Sequence, residues 1–345
     1  MKNKTLLRTN ILVCIIILLG LTITAIISYR SNIDIFQEDI EKVTTLTSEG
    51  IYNQINDIFS QPLSVSLTMA NDSLLKTFLT EEEKNYTDNV YLTEMQNYLN
   101  TYKEKYSYDS VFLVSTTSNR YYHFNGVDRV LTKDNPENEW YYNFLSSDEE
   151  YSLNVDNDEA KGNEITVFVN CRITDNSGKV MGVVGVGIRV DSLQELLHDY
   201  EEKYGISACL INNTGKVEIS SLKTGYENVN LFDEVEYSKN KENILGNRDT
   251  KQTFWYSSEN GEGFVVTRYE PNLKWHLIVE SDTTKICNTL TFQLSGGIVL
   301  IVFIIFMVMF TIIYVIKKYN AKVIELTVSE ELEYQRLLHE TTEGL

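Results

Sequence analysis

The side chains able to do chemistry are few and dispersed. Histidines stand at His123, His198, His276 and His339, none with a partner at metal-ligand spacing. Cys14, Cys171, Cys209 and Cys287 form no Cys-x-x-Cys pair, so free thiols are expected rather than a zinc site or a disulfide framework. Gly-x-Ser-x-Gly, Walker and His-Glu-x-x-His patterns are absent. An enzyme would need a convergent nucleophile, base and orienter that no motif supplies. Asp156 and Asp158, with Asn154 and Asn157, approach the spacing of a calcium loop but lack the glycine and distal glutamate of an EF-hand. Neither a metal nor a cofactor is expected. What remains is binding chemistry. Tyr121, Tyr122, Trp140, Tyr141 and Tyr142 supply rings that can stack on a ligand or fill a core.

The stretch that would present such groups is Glu164 to Leu193. Ile165, Val167, Val169, Cys171 and Ile173 alternate with Thr166, Phe168, Asn170 and Arg172, the period of two of a strand with one apolar and one hydrogen-bonding face. Asp175-Asn176-Ser177-Gly178-Lys179 carries turn chemistry. In the return strand Gly185 and Gly187 fall on one side with Met181, Val183 and Arg189, thinning a single face of the sheet. Such glycines either ease twist or mark close approach by a ligand. Asp191 is placed to cap the helix that follows.

Two apolar stretches frame the chain. Ile11 to Ile27 runs seventeen residues without a charge, and Ile298 to Ile316 nineteen, each long enough to cross a bilayer as a helix. No small-residue cleavage site follows the first, which is therefore expected to stay as an anchor. Lys2, Lys4 and Arg8 precede the first, and Lys317, Lys318 and Lys322 follow the second, so both termini are expected in the cytoplasm and residues 29–294 outside. Residues 31–292 hold 22 Lys plus Arg against 43 Asp plus Glu, a balance that excludes nucleic acid as a partner and suits a water-facing domain.

From Tyr29 to about Ser60, Ile33, Phe36, Ile40, Val43, Ile51, Ile55, Ile58 and Phe59 recur at helical spacing. The first membrane helix is thus expected to continue as a stalk roughly 45 Å long, ending or bending at Pro62. Helices at Asp72–Glu83 and Asn89–Lys105 should follow. A hairpin is then expected at Ser110–Asn125, a loop over Gly126–Glu139, and a short helix at Trp140–Leu145. A second, smaller unit begins at Ser207. Its turn Asn212-Asn213-Thr214-Gly215-Lys216-Val217 repeats the pattern of Asp175-Asn176-Ser177-Gly178-Lys179-Val180, a weak internal repeat. Further strands are expected at Gln252–Ser257, Gly263–Tyr269 and Lys274–Ser281.

Trp140-Tyr141 opening a short helix, Asp156 and Asp158 after the next strand, and the ITDNSGKVMGVVGVGIRVDSLQELL hairpin with its helix resemble the double-Cache extracellular sensors of bacterial receptors, over residues 33 to 283. The resemblance implies an α+β fold: a long N-terminal stalk helix with two tandem PAS-like antiparallel-sheet Cache subdomains, flanked by two transmembrane helices. It divides the chain into a cytoplasmic N-terminus (1–10), a first transmembrane helix (11–28), a stalk (29–62) and a membrane-distal subdomain (63–204). A membrane-proximal subdomain (205–285), a second transmembrane helix (295–316) and a cytoplasmic signalling helix (317–345) follow. It further implies a small-molecule site in the distal subdomain, with Trp140, Tyr141, Asp156 and Asn170 around the ligand and Tyr121 nearby. His123, Asp158 and Arg172 are added as candidates from their neighbouring positions. Members that bind amino acids show Arg-x-Trp-Tyr, the arginine holding the carboxylate. Here that position is Asn138, and an amide does not replace a bidentate clamp.

Residues 317–345 resemble the linker joining such sensors to a PAS-like segment and a diguanylate cyclase. With about 29 residues after the second span, the output is expected either beyond residue 345 or in a partner. The function expected is a transmembrane sensor with cyclic di-GMP output, not itself an enzyme. The alternatives are the input half of a histidine kinase or chemoreceptor, or a stand-alone binding or scaffold domain. The ligand expected is an amine or other cationic solute held by the aromatic faces and Asp156. A neutral or anionic ligand anchored by Arg172 is the other possibility. A homodimer is expected, pairing the stalks and the Tyr319–Leu338 segments through Val323, Leu326, Leu337 and Leu338, although Glu330 and Glu333 interrupt the heptad.

Overall fold

A computed structural model of the chain describes residues 2–158, 164–224, 227–246, 248–258 and 261–343. The side chains of 2–9 and 337–343 lie outside that description, and with them Lys2, Lys4, Arg8, Leu337, Leu338 and His339. The chain separates into two units, 1–39 with 285–345, and 40–284.

The first unit is helical. It holds the start of α1 (Lys2–Asn71) and nearly all of α8 (Thr284–Glu343). Both are long and apolar enough to cross a membrane, and the apolar side chains of the two stretches are largely exposed. Within this unit the hydroxyls of Tyr29 and Thr291 lie 3.5 Å apart.

In the second unit α1 changes character. Ile51, Ile55, Phe59, Leu63 and Ala70 are buried along one stripe built on i, i+4 spacing, the pattern of a helix packed on a core. Of the ending or bending expected at Pro62, the ending does not occur, because the helix runs on through it to Asn71. An interior proline costs about 3 kcal/mol. Fully burying Ile55, Phe59 and Met69 contributes roughly 1.5–3 kcal/mol each, which outweighs it. Next come α2 (Ser73–Asn85) and α3 (Asn89–Tyr106), whose N-terminal amides at Leu74 and Val90 are accepted by the side chains of Asp72 and Asp88, each at 2.9 Å.

Two antiparallel sheets follow. The first holds β1 (Ser110–Ser115), β2 (Arg120–His123), β3 (Gly126–Val130), β4 (Tyr151–Asp158), β5 (Glu164–Thr174) and β6 (Val180–Arg189), in the order β3-β2-β1-β6-β5-β4. The short helix α4 (Glu139–Ser146) lies between β3 and β4, and α5 (Asp191–Tyr204) leads out of the sheet. The second holds β7 (Ser207–Ile211), β8 (Val217–Ser220), β9 (Gln252–Ser257), β10 (Glu262–Glu270) and β11 (Trp275–Asp282), in the order β8-β7-β11-β10-β9. Between β8 and β9 lie a helical turn at Leu231–Asp233, α6 (Val235–Ser238) and α7 (Lys241–Gly246).

Each sheet turns one face to a shared core. Val167, Val169, Cys171, Ile173, Val184 and Val186 of the first pack there, with Leu210, Leu277 and Val279 of the second and Ile51, Ile55 and Phe59 of α1. The opposite faces carry separate clusters, around Phe112, Tyr121, Tyr141 and Phe168 on the first sheet and around Ile211, Leu231, Tyr237 and Ile278 on the second. The two repeat turns also match atom for atom. Asp175 Oδ1 accepts from the amides of Ser177 and Lys179 and the Ser177 hydroxyl, and Asn212 Oδ1 accepts from the amides of Thr214 and Lys216 and the Thr214 hydroxyl. Gly178 and Gly215 take φ of 86° and 92° to close these turns.

Three local expectations are corrected. The segment expected as a loop from Gly126 contains strand β3, joined to β2 by the two-residue turn Phe124-Asn125, with Gly126 opposite His123 at φ 121°. Asp156 and Asp158 lie within β4 rather than after it, paired with Thr166 and Glu164. Asp191 does not cap α5: the capping position is Val190, and Asp191 sits in the first turn, where its negative charge suits the helix dipole, paired with Arg189.

Candidate functional site

Strand register decides which side chains can meet. Gly185 pairs with Phe112 and Asn170, Gly187 with Ser110 and Phe168, Phe112 with His123, Val114 with Tyr121, and Tyr121 with Arg129. On the other side Asn154 pairs with Phe168 and Asp156 with Thr166. Directly opposed residues of antiparallel strands share a face. Arg129, Tyr121, His123, Phe112, Phe168, Asn170, Arg172 and Asp156 therefore all stand on the face that α4 covers.

Beneath α4 the rings form a wall. Phe112 stacks on Tyr121 at 5.3 Å between centroids, and Trp140 and Phe168 each meet Phe112 edge-on at 5.8 Å. Beside it lies a cavity of about 20 Å³, room for one water, lined by Phe112, Phe168, Trp140, Tyr121, Arg129, Glu137 and the Asp156–Asp158 stretch. The Arg129 guanidinium lies over the Tyr121 ring at 5.3 Å and pairs with Asp128 at 2.8 Å. Three carboxylates against one guanidinium leave the lining acidic.

Of the eight residues singled out by sequence, four line this cavity: Tyr121, Trp140, Asp156 and Asp158. The other four lie around it. Tyr141 is fully buried behind Trp140, its hydroxyl 3.4 Å from the Ser115 carbonyl, and burial pushes its phenol well above the usual range. His123 is buried with its Nε2 3.0 Å from the Ser110 hydroxyl. Asn170 Nδ2 donates to Asn154 Oδ1 at 2.6 Å. Arg172 Nη2 donates to the carbonyls of Phe144 at 2.8 Å and Ser147 at 2.6 Å, closing the open C-terminal end of α4. The space expected over Gly185 and Gly187 is filled: a Cβ on Gly185 would lie 2.9 Å from the Phe112 ring, and one on Gly187 3.1 Å from that of Phe168. The glycines let the aromatic wall settle onto the sheet.

Sequence reasoning missed Arg129, Glu137, Phe112 and Phe168 as lining residues. For Arg129 the signal was present in the Asn125-Gly126 dipeptide, a hairpin cue a few residues earlier. Asn138, at the place of the family arginine, is buried and donates from Nδ2 to the Thr132 carbonyl at 3.0 Å.

Two antiparallel sheets sharing a core with one long helix, the first closing a small acidic and aromatic cavity under a short helix, define a PAS-like sensory ligand-binding fold. The sequence matches the Cache domain model (dCache_1) over residues 33–290, and the chain belongs to that family. Solved structures with the same fold include the extracellular domain of the putative histidine kinase mmHK1S-Z2 (11% identity, TM-score 0.52, covering 72% of this chain and 97% of that one). Another is the sensory domain of the Campylobacter jejuni chemoreceptor Tlp3 (CcmL) with isoleucine bound (15%, 0.50, 72% and 94%). A third is the extracellular domain of the putative histidine kinase rpHK1S-Z16 (14%, 0.50, 72% and 95%).

Proposed function

We propose that this Cache protein is a two-pass membrane receptor that binds a small cationic solute in the cavity between the first sheet and α4. The observation that carries the reading is the meeting of Tyr121 and Trp140 with Asp156 and Asp158 at one cavity whose lining is acidic. Aromatic faces attract an ammonium by roughly 0.5–2 kcal/mol, and a carboxylate adds a charge-assisted hydrogen bond of about 1.5–3 kcal/mol. About 20 Å³ does not hold even a small amine, so binding must displace part of the wall. A ligand that moves the Trp140 helix as it enters has the differential contacts a switch requires.

A second reading has its own observation. Arg129 is the one basic side chain among the described lining residues, so a zwitterion could place its carboxylate there and its ammonium at Asp156. Arg172, committed to the end of α4, is not the anchor in either reading.

The remaining assignments extend the same proposal. Residues 63–204 form a membrane-distal and 205–285 a membrane-proximal subdomain, with 29–294 outside the cell and both termini inside. This is supported by the two apolar helices and their lysine-rich flanks. The receptor works as a homodimer, and its output is a diguanylate cyclase, supported by the helical 317–345 segment and its resemblance to such linkers. A histidine kinase or chemoreceptor output is the alternative.

The test is a thermal-shift comparison of primary amines, the matching α-amino acids and the matching carboxylates. Amines should stabilise the wild type, ligand at 100 times its Kd adding about 2.7 kcal/mol. Asp156→Asn should abolish the shift, and Arg129→Ala and Arg172→Ala should leave it. Loss of the shift in Arg129→Ala, with amino acids as the only stabilisers, establishes the zwitterion instead. A tight carboxylate lost in Arg172→Ala would overturn both.

A further inference from the structure

The second sheet has a concave surface of its own, on the face that corresponds to the one α4 covers on the first. Two adjoining cavities, of about 310 and 550 Å³, share Ser207, Glu234, Tyr237 and Glu280. The smaller has an apolar floor of Cys209, Val217, Leu231 and Ile278, with Lys223 its one basic side chain among the described residues. In the larger, the hydroxyls of Tyr237, at 2.6 Å, and of Tyr256 both donate to the Glu280 carboxylate. Volumes near 300 Å³ and above, an apolar floor and a few convergent polar groups are what small-molecule sites require.

The electrostatics select among ligands. Partial desolvation, then the charge of Glu280, hold the Glu234 carboxyl above its usual range. Glu201, Glu234 and Glu280 thus face the smaller cavity, where Lys223 only partly offsets them, and Asp233, Glu236 and Asp282 add to Glu234 and Glu280 in the larger. An anion is repelled there. Among the described residues no group of three or more His, Cys, Asp or Glu is arranged to hold a divalent metal. At the mouth Leu222 is 86% exposed and Val235 56%, so an apolar ligand body would gain cover from both.

We propose that this cleft on the second sheet is a binding site for a small organic amine with a branched aliphatic body, its ammonium between Glu234 and Glu280 and its body on Leu231 and Ile278. The site is separate from the one on the first sheet and does not depend on that reading.

The two are told apart by hydrogen–deuterium exchange on the full chain in lipid nanodiscs, with 3-methylbutylamine as probe and 3-methylbutanol and 3-methylbutanoate as isosteres. The amine should slow exchange in peptides covering 207–211 and 231–238, with neither isostere doing so. Glu234→Gln, a change at an exposed carboxylate, should raise the half-maximal amine concentration about tenfold, the loss of one charge-assisted contact. Protection confined to 120–158, equal protection by the alcohol, or an unchanged midpoint in Glu234→Gln would each overturn the proposal. Failure of the first-sheet site reads out separately, as absent protection over 120–158.

Discussion

The phenol of Tyr122 donates to the buried carboxylate of Glu82 at 2.6 Å, tying β2 to α2. The hydroxyls of Ser118, at 2.6 Å, and of Ser115 donate to the same group, so three neutral donors satisfy a carboxylate that is 1% exposed. An acid held this way depends on keeping every donor, because losing the acceptor strands all three. Glu82→Ala should therefore cost about 3 kcal/mol or more, and Tyr122→Phe about 1–2 kcal/mol. Urea unfolding of a 31–285 fragment measures both. Equal costs for the two substitutions would show that Glu82 is held by something other than these hydroxyls.

Gly187 shows how tightly the wall under α4 is seated. A Cβ there would lie 2.6 Å from the Thr166 Cγ2 methyl and 2.9 Å from Ser110 Cβ. Both obstacles are side chains on directly paired strand positions or their neighbours, so Gly187→Ala should destabilise by about 1–3 kcal/mol through overpacking. Thr166→Ser removes the nearest methyl. The double variant should recover part of the loss, a coupling that a thermodynamic cycle reads directly. Additive effects would place the cost in the backbone instead.

Legibility tracked how one-sided each element's environment is. The β5–β6 hairpin could be read because one face, Val167 to Ile173 and Val184 to Val186, is purely apolar and packs on the shared core. Strand β3 could not, because Val127 and Val130 are exposed on a sheet edge and little burial marks a period. Pro62 misled for a related reason: local propensity opposes the helix, and packing against two sheets, invisible in any window, restores it. Asp156 and Trp140 were recoverable through family resemblance, and the wall that surrounds them was not. Phe112 and Phe168 reach the cavity only through strand pairings that bring together residues far apart in the chain, and Arg129 through the β2–β3 hairpin, whose second strand reads as a loop in the sequence.

His276 carries the pH prediction. It is fully buried on β11, opposite Tyr269 of β10 and Ile211 of β7, and among the described residues neither ring nitrogen has a hydrogen-bond partner. Its ring lies 4.9 Å from that of Tyr269, over which Arg248 places its guanidinium at 5.0 Å. Burial first, and then the charge of Arg248, lower its pKa from the ordinary 6.5 to about 4. The folded chain thus keeps this imidazole neutral while the unfolded chain protonates it. Stability from this residue is complete above pH 6.5 and falls as pH drops towards 4, where the folded state titrates as well. The full loss is of the order of 3 kcal/mol, since a tenfold change in proton affinity is worth about 1.36 kcal/mol. Below pH 4 it should not grow further. His276→Met, similar in volume and unable to titrate, should flatten this limb between pH 6.5 and 4 and leave the carboxylate-driven loss at lower pH in place. Urea unfolding of wild type and variant across that range decides it, and parallel curves for the two would refute the assignment.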